Sequence, residues 1–195
     1  MVESGVRRGR PRSHSAHQAV LGAAYDLLVE GGLPALTIEA VAARSGITKP
    51  TIYRRWPNRT AVATAAFVDR MLHEVPLVDT GDPRVDLIEQ VRRVAEFYTT
   101  AAGGVLAQLI AAGVTDDQAA DDLWSCYFSV RREELHVLWQ RAIDARVVRA
   151  DIVADDAMDL LFGPILYRLL IGPRRLDGPA AAAMAGLTVD GLAPR

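Results

Sequence analysis

Cysteine is almost absent from this 195-residue sequence, with Cys126 alone. A single thiol excludes an internal disulfide and a Cys-rich zinc site, and it suits a reducing compartment. Cys126 is expected to be buried as a small hydrophobe. Long apolar runs are lacking too. The most apolar stretch, 160 to 171, is 12 residues long and contains Arg168, whereas a bilayer span needs about 20 residues. The opening MVESGVRRGRPRSHSAH is basic but has no apolar core of a signal peptide. A soluble, cytoplasmic protein without a membrane partner is therefore expected. Catalytic signatures are missing as well: there is no GxGxxG, P-loop, GxSxG or HExxH. His14 and His17 belong to the basic opening, and His73 and His136 stand apart from any metal-ligand spacing. No enzyme, cofactor or metal site is expected.

What is present is a chain that is 50% hydrophobic and 24% charged, enough to build a sizeable core. Its net charge of -2 hides a division. Residues 1 to 59 carry nine Lys or Arg against four acidic side chains, a net of +5. The other 136 residues carry 13 basic and 20 acidic side chains, a net of -7. A basic head on an acidic body suits a head that meets a polyanion and a body with a different task.

Periodicity is helical throughout, with no strand alternation or long repeat to compete. Residues 1 to 15 lack periodicity and are expected to be a basic arm. Within it Arg8-Gly9-Arg10-Pro11 suits a narrow minor groove, with a solubilising tail as the other reading. A first helix should run from Ala16 to Glu30 and stop at Gly31-Gly32. Residues 37 to 56, TIEAVAARSGITKPTIYRRW, then read as two short helices around a turn. Thr37 caps the first, which buries Ile38, Val41 and Ala42; Gly46 ends it and Ile47 turns inward. Thr48 caps the second helix, with Pro50 in its first turn, where a missing N–H costs nothing. Ile52 and Trp56 share its buried face, leaving Lys49, Tyr53 and Arg55 outward. Asn58 caps a fourth helix, 59 to 73, whose Arg59 opposes the helix dipole and so suggests either a phosphate partner or a plainly solvated arginine.

Beyond a loop at 75 to 83, a helix from Arg84 to about Thr100 should bury Val85, Ile88, Val91, Val94, Ala95 and Tyr98. A short apolar segment, 105 to 112, follows Gly103-Gly104, and one long helix should run from Asp116 or Asp117 to about Val148. The next helix holds LLFGPILYRLLI, with a bend expected at Pro164. Its apolar residues cover too much of the circumference for one buried face. Either it lies at the centre of a bundle, or its second side meets another subunit together with the small-residue helix 177 to 192. We favour the second alternative. Leu161, Ile165, Arg168, Leu169, Met184 and Leu187 are the expected dimer contacts.

The stretch AAYDLLVEGGLPALTIEAVAARSGITKPTIYRRWPNRTAV resembles the tetracycline-repressor (TetR) family of bacterial transcriptional regulators over about residues 16 to 70. The resemblance implies an all-α protein: a three-helix helix-turn-helix DNA-binding domain at 16 to 60, joined through the fourth helix to a dimerisation and ligand-binding bundle at 74 to 195. It implies a homodimer on a palindromic double-stranded DNA operator, with a small-molecule effector of unspecified identity entering the bundle; a repressor released by a mostly apolar effector is expected. By position, Thr37 matches a phosphate-bonding helix cap, Thr48, Lys49, Pro50 and Thr51 the base-reading start of the recognition helix, and Tyr53 a phosphate-binding tyrosine. Arg55 stands where histidine is frequent and Arg59 where lysine reaches the backbone, while Trp56 replaces a common phenylalanine. Arg44 joins the set expected near DNA. Tyr98, Trp124, Tyr127, Phe128 and Arg131 are candidate pocket residues, or equally plain core with Arg131 at the surface. The rivals are a helical binding or scaffold protein without DNA recognition, and a small-molecule enzyme.

Overall fold

The computed structural model describes residues 10–172 and 175–194 and, among them, is entirely helical. Arg8 lies outside the described residues. Helix α1, Arg10–Ala35, starts within the stretch expected to be an arm. Gly32, at φ 68°, interrupts it where the glycine pair was expected to stop it, and one further turn carries Pro34. Val20, Leu21, Ala24 and Leu28 form its buried face.

Helix α2, Ile38–Ser45, begins at Thr37, whose hydroxyl accepts the Ala40 N–H at 3.1 Å. It ends at Gly46, whose left-handed backbone (φ 71°) lets its N–H reach the Ala42 carbonyl. Helix α3, Lys49–Tyr53, has only five residues. So short a helix is unstable alone, and it is held by Ile52, which is fully buried, and by Trp56 just beyond it. Thr48 occupies the N-cap position but its hydroxyl pairs with that of Thr51 at 3.0 Å instead of capping an amide. Helix α4, Arg59–Glu74, is capped by Asn58, which accepts the Ala61 N–H at 2.8 Å. It packs along α1 and buries Val62, Ala66, Phe67 and Met71.

Helix α4 also enters the body. The Phe67 ring lies 6.0 Å from Phe97 and meets Tyr127 edge-on at 5.1 Å, so one apolar cluster runs from head to body. Helix α5, Pro83–Tyr98, buries Val91, Val94, Ala95 and Tyr98 on the expected face and departs from it in its first turn, where Asp86 is buried and Val85 is exposed. The cause is a polar latch, since Asp86 accepts the N–H and O–H of Thr80 at 2.8 and 2.6 Å, and Gln90 accepts the Val78 N–H at 2.9 Å. The preceding loop is thereby tied to the face that hydropathy alone assigns to Val85.

Helix α6, Ala101–Thr115, starts four residues before the expected Val105 and runs through Gly103-Gly104. A Cβ on Gly103 would collide with the Tyr98 carbonyl, so the glycine permits the 86° corner between α5 and α6. The expected single helix over 116 to 148 runs unbroken from 117 to 144, with a π-helical turn (Trp124–Phe128) set between α7 (Asp117–Leu123) and α8 (Ser129–Asp144). Ser125 and Ser129 donate to the carbonyls of Asp121 and Ser125 there, a back-bonding pattern that bends helices. Cys126 lies on the outside of this turn, exposed and not buried. Helix α9, Ala154–Ile171, is one element through Pro164, and α10, Gly178–Gly191, packs on α5 and α9. Among the described residues no single helix is long and apolar enough to cross a membrane.

Candidate nucleic-acid interface and ligand cavity

The two short helices place a compact polar set at the free end of the head. Pro50 fixes the first turn of α3, and Thr48, Lys49, Tyr53 and Arg55 are exposed around it. Tyr53 stands out most clearly as a half-exposed aromatic (50%) on a helix whose other large apolar side chain, Ile52, is fully buried. Arg59 is exposed at the first turn of α4, beside the capping Asn58. Basic, hydroxyl and phenolic groups on one surface are the inventory that meets phosphates and base edges.

Several of these groups are already paired within the head. The Lys49 ammonium lies on the Glu39 carboxylate, and Arg44 grips Glu30 through both terminal nitrogens at 2.8 and 2.7 Å. These partners hold both carboxyls below their ordinary range. The pairs are exposed, so each is worth little and can open in favour of a phosphate. Thr37 uses its hydroxyl as a cap. Nothing is described of the Arg10 side chain.

His17 belongs to this surface, although by sequence it was grouped with the basic opening. Its ring stacks on Trp56 at 5.1 Å and 7°, while the Arg55 guanidinium lies 5.6 Å over the same indole. Burial, and then the Arg55 charge, lower its pKa. The available signal was its place in the first turn of the helix expected from Ala16, four residues before Leu21 of the buried face.

In the body, α4, α5, the π-turn, α8 and α9 enclose a cavity of about 170 Å³. Its walls are Met71 of α4, Val94 and Tyr98 of α5, Tyr127 and Phe128 of the π-turn, Arg131, Arg132 and Leu135 of α8, and Met158, Asp159, Phe162, Gly163, Ile165 and Leu166 of α9. Four of the five expected pocket residues meet here. Trp124 does not; it is exposed, with Arg132 5.6 Å over its ring and Phe128 6.1 Å away. The wider π-turn, with residues 124 to 126 exposed, directs Tyr127 and Phe128 inward. Such turns recur at functional sites.

The cavity is apolar with a few polar groups. The Tyr98 and Tyr127 hydroxyls are buried and bonded to each other. Burial pushes Tyr127 up to about 12 and Tyr98 well above its usual 10, so both keep their protons near neutrality. Arg131 is buried, not superficial: one terminal nitrogen donates to Glu134 at 2.8 Å, the other to the Val75 carbonyl at 2.9 Å. Its Nε has no partner among the described residues. At the solvent side Arg132 pairs with Asp159 and, at 3.3 Å, with Asp155. The acidic partners and the α9 wall carry no local sequence signal, because four elements must pack before they converge.

The expected dimer residues divide. Leu161 and Ile165 are buried in their own core, 2% and 1% exposed, and are unavailable to a partner. Arg168, Leu169 and Met184 are half-buried and Leu187 is exposed. Helical spacing explains the correction: the outer face of α9 carries Leu160, Tyr167, Leu170 and Ile171, all exposed, and Leu187 of α10 adds to them. Among the described residues no cluster of His, Cys, Asp and Glu could hold a metal ion.

Residues 20–66 match the family described as "Bacterial regulatory proteins, tetR family", and residues 77–188 match "Tetracyclin repressor-like, C-terminal domain". The uncharacterised HTH-type transcriptional regulator YdeS of Bacillus subtilis (strain 168) is 37% identical over 165 residues, 85% of this chain and 83% of its own. The uncharacterised regulator Rv1556 of Mycobacterium tuberculosis (strain ATCC 25618 / H37Rv) is 30% identical over 156 residues, 80% of this chain and 76% of its own. The crystal structure of the TetR family transcription regulator SCO0332 superposes with a TM-score of 0.83 at 31% identity, covering 92% of this chain and all of that one (100%).

Proposed function

The chain belongs to the tetracycline-repressor family of bacterial transcriptional regulators, DNA-binding proteins and not enzymes, and on that premise we propose that it is a homodimeric repressor released by a small effector. In this proposal Lys49 and the Thr48–Thr51 turn meet base edges, with Pro50 setting the angle of approach. Tyr53, Arg55 and Arg59 hold phosphates, Arg44 and Thr37 lie along the flanking backbone, and Arg8 and Arg10 add affinity from the basic N-terminal stretch. The exposed Lys49, Tyr53 and Arg55 on a helix anchored by Ile52 and Trp56 carry the DNA half of the proposal.

A cavity that shares α4 with the head supports release. Met71 lines the cavity and Arg59 stands at the DNA end of the same helix, about 18 Å away at 1.5 Å per residue. A molecule that moves Met71 tilts the lever on which the head is mounted. For this to shift an equilibrium, the effector must prefer one head separation over the other. The exposed stripe on α9 and Leu187 of α10 supports a two-fold interface.

Gel shifts with the intergenic DNA beside the gene test the proposal. The wild-type protein is expected to retard one fragment as a dimer, and Lys49→Ala or Tyr53→Ala to weaken that complex with the fold intact. A base contact from Lys49 is worth about 1–3 kcal/mol of discrimination. Unaltered binding when both are replaced would remove the assignment.

A further inference from the structure

We infer that the body cavity takes an apolar molecule bearing one neutral acceptor oxygen, a ketone, ester or lactone carbonyl, received by the spare O–H of the Tyr98–Tyr127 hydroxyl pair. This rests on the cavity being the effector site. Two hydroxyls facing each other hold two hydrogens, and their mutual bond uses one. The second O–H has no acceptor among the described residues. Arg131 adds no donor to the cavity: its terminal nitrogens are taken by Glu134 and Val75, and its Nε is sealed from any water-sized atom.

The leftover is a donor, and a carbonyl oxygen is the acceptor that matches it. Leaving a buried donor unmade is costly, so the site favours a ligand that satisfies it. The remaining wall is apolar, contributed by Met71, Val94, Leu135, Met158 and Phe162. About 170 Å³ slightly exceeds the roughly 150 Å³ of an engineered apolar cavity that holds benzene. A single ring with a short chain is the appropriate size.

Charge decides between a neutral oxygen and a carboxylate. The guanidinium groups of Arg131 and Arg132 already face three carboxylates, Glu134, Asp155 and Asp159. Asp159 lines the cavity at its exposed end, and the His136 ring lies 3.2 Å from Asp155. An anion entering there meets Asp159 before it meets a cation with spare charge. Both tyrosines keep their protons at neutral pH, so the donor pair is permanent.

Three probes of one size distinguish these chemistries by calorimetric titration of the full-length protein: butyrophenone, butylbenzene and 4-phenylbutyrate. Butyrophenone is expected to bind about tenfold more tightly than butylbenzene, with 4-phenylbutyrate weaker than the ketone. Tyr98→Phe/Tyr127→Phe, which removes both hydroxyls and keeps the shape, should retain butylbenzene affinity and lose most of the preference for the ketone. Either single exchange leaves one O–H and should retain the preference. Equal affinity for ketone and hydrocarbon, tighter binding of the carboxylate, no binding of any probe, or an unmoved preference in the double variant would overturn the inference. The wild-type order decides without the variant. Anisotropy of labelled operator DNA separates the two claims: a ketone that binds without displacing DNA removes the effector role and leaves the ligand chemistry standing. Displacement of the DNA by ketone and hydrocarbon alike does the reverse.

Discussion

Gln108 is the side chain whose removal should loosen the head from the body. It reaches from α6 to the interruption of α1 at Gly32, where its Oε1 accepts the Leu33 N–H at 2.7 Å while its Nε2 donates to the Gly104 carbonyl at 3.2 Å. The approach is possible because Gly32, at φ 68°, has no side chain; a Cβ there would collide with the Gln108 carboxamide. Gln108→Leu keeps the volume and leaves the Leu33 amide without its acceptor. An unsatisfied buried donor costs about 1–3 kcal/mol, and a half-buried site belongs at the lower end, about 1 kcal/mol. For a chain of this length that is about 2–4 °C in Tm. Gln108→Glu keeps an oxygen for the amide and should recover much of the loss. Urea denaturation should show a lower midpoint with an unchanged slope, and the Leu33 amide should exchange with solvent about fivefold faster. Equal Leu33 exchange in the leucine variant and the wild type would refute the clasp, as would identical losses from leucine and glutamate.

Other consequences follow from single contacts. Arg92, with Arg93 beside it, holds the Glu89 carboxyl at about 2 against an ordinary 4.5. Between those values the unfolded chain binds the proton and the folded chain does not, so this contribution is complete above about pH 4.5 and lost as pH falls toward 2; Glu89→Gln should flatten the stability curve across that window in denaturant titrations. Tyr167→Glu with Leu170→Glu should give a helical monomer by light scattering and circular dichroism, whereas Leu161→Ala should cost about 2–5 kcal/mol of stability because it opens the core. Arg59→Ala should weaken all DNA alike and lower the salt slope by about one unit, with Tm unchanged.

The head was legible because its signals are local. Thr37, Gly46 and Asn58 act within three or four residues of themselves, and Ile52 with Trp56 needs only the helical period. Thr48 misled by one bond, its hydroxyl preferring Thr51 to an amide. The body was legible in outline only. Periodicity nominated Tyr98, Tyr127 and Phe128 but also Trp124, because a π-turn resets the register and no local pattern announces it. Val85 and Asp86 exchanged places because a loop latch outweighed hydropathy. On α9, apolar residues lie all around, so the inner and outer faces could be told apart only after α5, α8 and α10 had packed against it. Leu161 and Ile165 consequently passed from the expected interface to the core, and Tyr167 and Ile171 took the outer face.

Hydroxyl-radical footprinting of the wild-type protein on its retarded DNA fragment tests most directly whether the α3 ends read DNA as a two-fold pair. Two symmetry-related protected patches are expected, centred about 34–36 Å or a multiple of that apart, both lost in the Lys49→Ala/Tyr53→Ala variant. A single asymmetric patch, or protection that survives in that variant, would contradict it.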